Sequence, residues 1–192
     1  MQAISQNSPQ PPAPKKGQLT WAGFQKKYLT KEDGYKYEFV GGSVVKTAHS
    51  MDQTQAFIQD NLLNFLTKLR TLKSLPDGNF IAECDMFFGE NHRRPDISWL
   101  TKKQLRDARE GQHVTPNWVI EIISTNDQFN KMMDKMLDYE RAGVSLVWHI
   151  FPNHEKVHIY KGKQMTICSG DDICSADSVV NGFEMPAKAV FQ

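Results

Sequence analysis

Several features that would assign a chain to a class at once are scarce or missing here. The 192 residues contain only 3 cysteines, at no spacing typical of a zinc site. No apolar run is long enough to cross a bilayer, and the polar, proline-rich N-terminus lacks the core of a signal peptide. We therefore expect a cytoplasmic protein with reduced thiols and no membrane contact, although Cys168 and Cys174 could pair.

A strong excess of one charge is also missing. The formal net charge is +1, whereas many strong nucleic-acid binders are distinctly basic. This counts against tight nonspecific DNA binding and leaves room for a local basic cleft. The chain also has no glycine-rich phosphate loop and no serine nucleophile elbow, so it carries no signature of a P-loop enzyme or a serine hydrolase.

The length and composition predict one domain behind a tail. Residues 1–18 are rich in proline, serine, glutamine and lysine, which predicts a disordered segment. Residues 19–192 have enough apolar side chains for a single core, and we expect them to form one domain.

Local patterns predict a mixture of helices and strands. Helices are expected at 21–28 (capped by Thr20), 53–72 and 101–111, a hairpin at 35–46, and strands at 79–88, 145–151 and 156–161. In the strand at 79–88, Glu83 and Asp85 share one face, which favours a solvent-exposed face over a metal site. The polar segment at 89–94 is expected to be a loop.

A buried carboxylate organises the middle of the chain. The segment Trp118–Ser124 is apolar and rich in β-branched residues, which is typical of a central strand. Because side chains alternate along a strand, Glu121 shares a face with Val119 and Ile123. A lone carboxylate there costs several kcal/mol unless a metal ion, a lysine or an arginine meets it.

A second carboxylate opens the preceding strand. Asp96 begins a short apolar segment that ends at Leu100. If this strand neighbours the strand of Glu121, the two carboxylates point to one spot and repel each other unless they share a cation. Hard oxygen ligands of this kind suit Mg²⁺ or Mn²⁺.

The helix that follows supplies a cationic candidate. Phe129, Met132, Met133, Met136 and Leu137 form a stripe at helical spacing, which we expect to face the core. At about 100° per residue, Lys131 lies nearly opposite this stripe. Lys135 lies at its edge, one turn before Tyr139, so it can bury its stem and direct its amine toward the sheet.

An ordered set of short motifs runs along the chain: Tyr37–Gly42, Arg94-Pro95-Asp96, Glu121-Ile122-Ile123-Ser124, Lys135, Tyr139, Ala142-Gly143-Val144, Trp148 and Val179–Phe183. This set resembles the Uma2 (DUF820) family of the PD-(D/E)XK nuclease superfamily, over roughly Leu19 to Phe191. The chain departs from the family after the last helix, where Trp148-His149-Ile150-Phe151-Pro152 replaces the typical Trp-Ile-Val-Asp-Pro.

The resemblance implies a restriction-endonuclease-like fold, α/β with a mixed sheet flanked by helices. It implies a metal-dependent endonuclease that hydrolyses phosphodiester bonds, with DNA as substrate. Asp96 and Glu121 would hold Mg²⁺ or Mn²⁺, with Glu38 as a further ligand. Lys135 would replace the lysine that the superfamily usually places where Ile123 stands. Since many superfamily nucleases are dimers, a homodimer is expected.

Three more residues are candidates for substrate binding. Arg94 would hold the phosphodiester, and Ser124 and Tyr139 follow the motif order of the family. Two of them have plainer alternatives: Arg94 in a solvated loop, and Ser124 capping a turn. The metal candidate Glu38 could likewise be an exposed strand residue or a cross-strand partner for a lysine. Two alternatives to the enzyme also remain open: a noncatalytic nucleic-acid-binding module, and a structural dimerisation domain in which Glu121 and Lys135 only pair.

Overall fold

The computed structural model describes residues 19–48, 53–72, 77–125 and 127–192. The predicted disordered tail, residues 1–18, lies outside these ranges. The helices are α1 (Trp21–Lys27), α2 (Gln53–Leu72), α3 (Lys102–Arg109) and α4 (Phe129–Ala142). The strands are β1 (Tyr35–Val40), β2 (Ser43–Ala48), β3 (Gly78–Ala82), β4 (Met86–Phe88), β5 (Asn91–Arg93), β6 (Ile97–Thr101), β7 (Trp118–Ile122), β8 (Leu146–Phe151), β9 (Lys156–Lys161), β10 (Gln164–Ser169), β11 (Ile173–Ser175) and β12 (Glu184–Pro186).

A six-stranded sheet forms the centre of the molecule, with the strand order β10-β9-β8-β7-β6-β3. Only β7 and β8 run parallel, and the other neighbours are antiparallel. Parallel neighbours need a crossover connection, and α4 supplies it. The predicted mixed sheet flanked by helices is confirmed. None of the helices in the described ranges is long and apolar enough to span a membrane.

A second sheet has the order β2-β1-β5-β4, and its strands all come from the N-terminal half of the chain. The predicted hairpin is confirmed as β1 and β2, paired from Tyr35–Ala48 to Val40–Ser43. The segment at 89–94 was predicted to be a loop, and this is wrong for β5, which pairs with both β1 and β4.

The prediction of one continuous strand at 79–88 is also wrong. Its first half, β3, belongs to the six-stranded sheet, and its second half, β4, belongs to the four-stranded sheet. The break lies at Glu83, whose φ of 47° places it in the left-handed region. That conformation is unfavourable for a non-glycine residue and incompatible with a strand, so the chain turns there from one sheet to the other.

One face of the six-stranded sheet carries the main apolar core. Its tryptophans, Trp99, Trp118 and Trp148, are at most 1% exposed. Helix α2 covers this face through Ile58, Leu62, Leu66 and Leu69. The predicted helix at 53–72 is confirmed, and its last residue, Leu72, is 78% exposed.

The opposite face of the sheet lies under α4 and has a smaller apolar cluster: Met86, Val119, Tyr139 and Val147, with Met136 packed against it. The predicted core stripe of α4 is wrong, because Phe129, Met133 and Leu137 are 70%, 38% and 44% exposed. The helix is instead rotated so that the side on which Tyr139 lies faces the sheet. It ends at Gly143, whose φ of 85° gives the left-handed cap that glycine adopts without strain.

Candidate active site

The pairing of β6 with β7 brings the two predicted carboxylates together. Ile97 pairs with Ile120 and Ser98 with Val119, so Asp96, one residue before β6, comes opposite Glu121. Opposite residues of an antiparallel pair share a face. Both carboxylates therefore lie on the α4 side of the sheet, as expected from the sequence.

Glu121 is 4% exposed and is held by two groups from α4. Its Oε2 accepts a hydrogen bond from Lys135 Nζ at 2.9 Å, and its Oε1 accepts one from the hydroxyl of Tyr139. Lys135 and Tyr139 are one turn apart, so they reach the same carboxylate from one helix face. This geometry explains the rotation of α4, because a buried carboxylate without a donor costs more than exposed apolar side chains.

The electrostatics of these donors follow from burial and charge. Burial alone would lower the pKa of Lys135, but the carboxylates of Glu121, Glu38 and Asp96 outweigh burial and raise it. Burial and the charge of Glu121 raise the pKa of Tyr139 well above its ordinary value. Lys135 therefore stays charged and Tyr139 stays protonated, so both remain hydrogen-bond donors at neutral pH.

Asp96 has two donors of its own. Its Oδ2 accepts from the backbone N–H of Ile122 at 2.8 Å, and its Oδ1 lies 3.3 Å from Lys36 Nζ. Lys36 is a β1 residue that is 7% exposed. Sequence reasoning missed Lys36, although the alternation of Lys36 and Glu38 along β1 indicates that they share a face.

Glu38 belongs to a second buried charge cluster beside the first. Its Oε2 accepts from Arg93 Nη1 at 2.9 Å, and its Oε1 accepts from the backbone N–H of Arg94 at 2.8 Å. Arg93 also donates to Asp138 of α4, through Nε at 3.1 Å and Nη2 at 2.6 Å. Both oxygens of Glu38 thus accept hydrogen bonds from the protein, and these partners differ from the metal ion that the family resemblance implied.

The charge of Glu38 is strongly favoured. Burial would raise the pKa of this carboxyl, but Lys135, Arg93 and Lys36 outweigh burial and lower the pKa to about 2. Because Lys135 acts on Glu38 as well as on Glu121 and Asp96, the two clusters form one electrostatic unit. Arg93 and Asp138 were not predicted as site residues. Arg93 lies in a segment expected to be a loop, and Asp138 is one of several charged positions of α4, so no periodic pattern indicated that either is buried.

Arg94 lies close to the site, with its side chain directed at Asp85. Its Nε donates to Asp85 Oδ1 at 2.7 Å, and the same oxygen lies 2.8 Å from His92 Nε2. Burial would raise the pKa of Asp85, but His92 and Arg94 lower it. The side chain of Asp85 is 35% exposed and ion-paired, so the expected solvent-exposed face is confirmed only in part.

Ser124 is exposed in the loop between β7 and α4. Its backbone N–H and its hydroxyl both donate to Asp127 Oδ2, at 2.7 and 3.0 Å. Asp127 directly precedes Gln128, the N-cap residue of α4. The contacts of Ser124 therefore correspond to the turn-forming alternative.

His149 is a further buried polar residue beside Glu121. It pairs with Glu121 across β7 and β8 and with His158 across β8 and β9. Burial lowers the pKa of His149 to about 4, against the opposing charge of Glu121. Its side chain is therefore a neutral imidazole. The signal in the sequence is a histidine where the family typically has isoleucine.

The approach to Asp96 is a shallow cleft between α2 and the end of the sheet. It is lined by Gln55, Gln59, Glu83, Asp96, Ile97 and Ile122. Apart from Asp96 itself, the polar side chains of this lining come from α2 and from the break between β3 and β4. The side chain of Asp96 is 20% exposed, so this cleft gives it access to solvent.

The sequence model of Uma2, described as "Putative restriction endonuclease", matches residues 21–188. The chain belongs to the Uma2 family. No protein among those with curated functions matches this Uma2 sequence significantly.

A solved structure supports the same fold for this Uma2 domain. It is the crystal structure of a "putative nuclease belonging to DUF820" from Anabaena variabilis ATCC 29413, which is 19% identical in sequence. The match has a TM-score of 0.72 and covers 90% of this chain and 97% of that chain. The family and the fold together support a nuclease function in general.

Proposed function

We propose that this protein is a metal-dependent endonuclease that hydrolyses phosphodiester bonds of DNA. The observation that carries the proposal is the meeting of Asp96, Glu121 and Lys135 on one side of the sheet. Two carboxylates and a charged amine at one place suit phosphoryl chemistry, which needs a cation held near the phosphate and a positioned water. DNA is proposed because the family is described as one of restriction endonucleases.

The donor set fits a hydrated divalent cation. Asp96 and Glu121 offer the hard oxygen atoms that Mg²⁺ and Mn²⁺ prefer, and Mg²⁺ is commonly held by one or two carboxylates with several waters. Among the described residues, no group of three or more histidine, cysteine, aspartate or glutamate side chains could hold a metal. A bound ion would polarise the scissile phosphate and lower the pKa of a water molecule.

The chain's own residues then have distinct roles. Lys135 orients a water molecule and offsets the phosphate charge, since its side chain is 25% exposed and its charge is favoured. Tyr139 is fully buried, so it positions Glu121 and does not touch substrate. Glu38 acts through Arg93 and the backbone of Arg94, which it holds in place.

Arg94 remains the proposed phosphate contact. Two of its guanidinium nitrogens, Nε and Nη2, each lie 2.7 Å from Asp85 Oδ1. Arginine has five N–H donors in a planar fork, and no described residue accepts from Nη1. We infer that this nitrogen binds a phosphate oxygen while Asp85 holds the guanidinium in position.

A cleavage assay on supercoiled plasmid and on single-stranded DNA, with Mg²⁺, Mn²⁺ or a chelator, tests the proposal. We expect cleavage with either ion and none with the chelator. Asp96→Asn and Glu121→Gln should each lower the rate by about 100-fold or more, whereas Asp134→Asn, on the exposed side of α4, should not. Cleavage that survives both the chelator and Glu121→Gln would contradict it.

A noncatalytic nucleic-acid-binding module is a second candidate, and one observation favours it. Every carboxylate oxygen of Asp96 and Glu121 already accepts from a group of the chain. Such a site is complete without an ion. DNA binding measured by fluorescence anisotropy that is equal with Mn²⁺ and with chelator, together with no cleavage, would support this module over the enzyme.

A further inference from the structure

Strand β10 forms an open edge of the six-stranded sheet. Its partner on one side is β9, and no strand of the described ranges pairs with its other side. Soluble proteins usually protect such an edge with proline, charge or a bulge. Residues Gln164–Ser169 contain no proline and no charged residue, and they pair with β9 without a bulge.

The opposite edge of the same sheet is treated differently. There the carbonyl of Gly78 in β3 accepts from the side chain of Arg70, and the carbonyl of Asp77 accepts from the N–H of Lys102. Helices α2 and α3 thus occupy the end of β3. At the β10 edge, the turn of residues 187–190 bonds the chain just beyond the strand, where the N–H of Lys188 donates to the carbonyl of Gly170. Within the described residues, the middle of β10 is therefore the stretch that is free to pair.

The hairpin geometry shows which backbone groups of β10 point outward. Lys161 and Gln164 pair directly across a two-residue turn, and in such hairpins this flanking pair is hydrogen-bonded. Bonded and non-bonded pairs then alternate along the strand. Met165, Ile167 and Ser169 therefore direct their N–H and C=O groups away from β9. Those of Ser169 bond to Asp172, so Met165 and Ile167 offer theirs to a partner strand.

We propose that β10 pairs antiparallel with β10 of a second copy of this chain, centred on Thr166, so that one sheet continues through a homodimer. A twofold pairing keeps the faces of both sheets aligned only when the residue numbers of opposite residues differ by an even number. Centring on Thr166 meets this condition and places Met165 opposite Ile167 of the second copy. Both residues have outward backbone groups, so they form a hydrogen-bonded pair.

The side chains match this register. Met165 and Ile167 are 54% and 50% exposed and lie on one face of β10. In the dimer each apolar side chain meets the other type across the axis, which is a favourable cross-strand pair. Lys163 comes opposite Ser169, so the pairing opposes no like charges. We therefore infer that the strand bound at this edge is β10 of a second copy, because β10 supplies both members of each favourable pair.

Cross-linking at the axis tests the register. Thr166 and its counterpart form a non-hydrogen-bonded pair with a Cα separation of about 4.5 Å, which is within the range of a disulfide. Thr166→Cys should give a covalent dimer on oxidation with diamide. The wild type and Lys161→Cys, on the β9 side of the hairpin, should stay non-covalent under the same conditions.

Disruption of the edge tests the surface, with sedimentation velocity across a dilution series as the readout. Ile167→Pro removes an outward N–H without touching the β9 pairing, and Ile167→Lys adds an edge charge. Each should weaken dimerisation by roughly 10-fold or more. Ile173→Lys, at a residue that is 51% exposed on β11, is the matched control and should leave it unchanged.

Three outcomes would overturn the proposal. The wild type could be a monomer over the whole dilution series. Thr166→Cys could fail to cross-link a dimeric protein. The dimer could persist unchanged in both Ile167 variants, which would assign it to another surface. Circular dichroism of each variant confirms that the fold is intact, and DNA cleavage is not needed for any of these readouts.

Discussion

Two buried carboxylates lie side by side under α4, and their surroundings differ. Glu38 is 1% exposed and faces Arg93, which is 5% exposed and also binds the buried Asp138. Glu121 is 4% exposed and faces Lys135, whose side chain is 25% exposed. One cluster is closed on all sides by the protein, and the other has a cation at the boundary with solvent.

This difference separates a positioning role from a catalytic one. An arginine held by two carboxylates in a dry site has little freedom, so the Glu38 cluster fixes β1, β5 and α4 relative to one another. A lysine on a flexible stem at a solvent boundary can change partners when a ligand arrives. We therefore expect the Glu38 cluster to control stability and the Glu121 cluster to control chemistry.

The largest expected effect concerns the two lysines of α4. Lys135→Met removes the proposed water-positioning group and should lower plasmid cleavage by about 10²–10⁴-fold. Lys131→Met should change little, because Lys131 is exposed. The measurement is the cleavage rate in Mn²⁺. If Lys131→Met abolishes cleavage and Lys135→Met keeps it, the assignment of the catalytic lysine is wrong.

The next effect separates the two arginines that reach Asp138. Arg93→Met leaves buried carboxylates without their main partner and should lower the free energy of unfolding by about 3–5 kcal/mol. Arg141 contacts Asp138 at 3.5 Å with a side chain that is 71% exposed, so Arg141→Met should cost less than about 1 kcal/mol. Urea unfolding measures both. Equal losses would mean that the Glu38 cluster is no more structural than a surface pair.

The free energy of unfolding should depend on pH through the carboxyl group of Glu38. Its pKa is lowered from 4.5 to about 2 in the folded protein. The unfolded chain therefore binds the proton first as the pH falls, and stability present above pH 4.5 is lost toward pH 2. This loss amounts to up to about 3 kcal/mol.

The test compares the wild type with Glu38→Gln, which cannot titrate at this position. The free energy of unfolding of the variant should fall less steeply between about pH 4.5 and about pH 2. Parallel curves for the two proteins would show that Glu38 does not carry this dependence, and the charge network around Arg93 would need another account.

The smallest expected effect is stabilisation by metal. Mn²⁺ at tenfold excess over its dissociation constant should stabilise the fold by about 1.4 kcal/mol, or about 3–6 °C in melting temperature. Asp96→Asn and Glu121→Gln should abolish the shift, and Glu38→Gln should keep it, since Glu38 oxygens are held by Arg93 and Arg94. If Glu38→Gln alone abolished the rise in melting temperature, the metal would be bound at the Glu38 cluster and not at the Glu121 cluster.

Much of the framework was predictable because its signals are local. The apolar run around Glu121, the hairpin turn at Gly41-Gly42 and the periodicity of α2 each depend on neighbours within a few residues. The cap of α1 is equally local, since Thr20 accepts from the N–H of Gly23. These elements form as predicted because pattern and packing favour the same structure.

Predictions failed where distant residues decide the outcome. The rotation of α4 was predicted from its apolar stripe, but Phe129, Met133 and Leu137 remain exposed. The helix faces the sheet with Lys135 and Tyr139 because Glu121 lies beneath it. Lys135 was nevertheless identified, because it stands one turn from Tyr139 and at the edge of the stripe under either rotation.

The sequence by itself determined that a carboxylate would be buried at Glu121 and would need a cationic partner, because an apolar strand is buried whatever surrounds it. Only the tertiary structure decided which groups pair with the buried carboxylates. Lys36 meets Asp96 across 60 residues of sequence, and Arg93 meets Glu38 across 55 and Asp138 across 45. These pairs are brought together at the junction of two sheets. A pairing of charges across such a junction has no period in the sequence, so it becomes visible only when the strands are assembled.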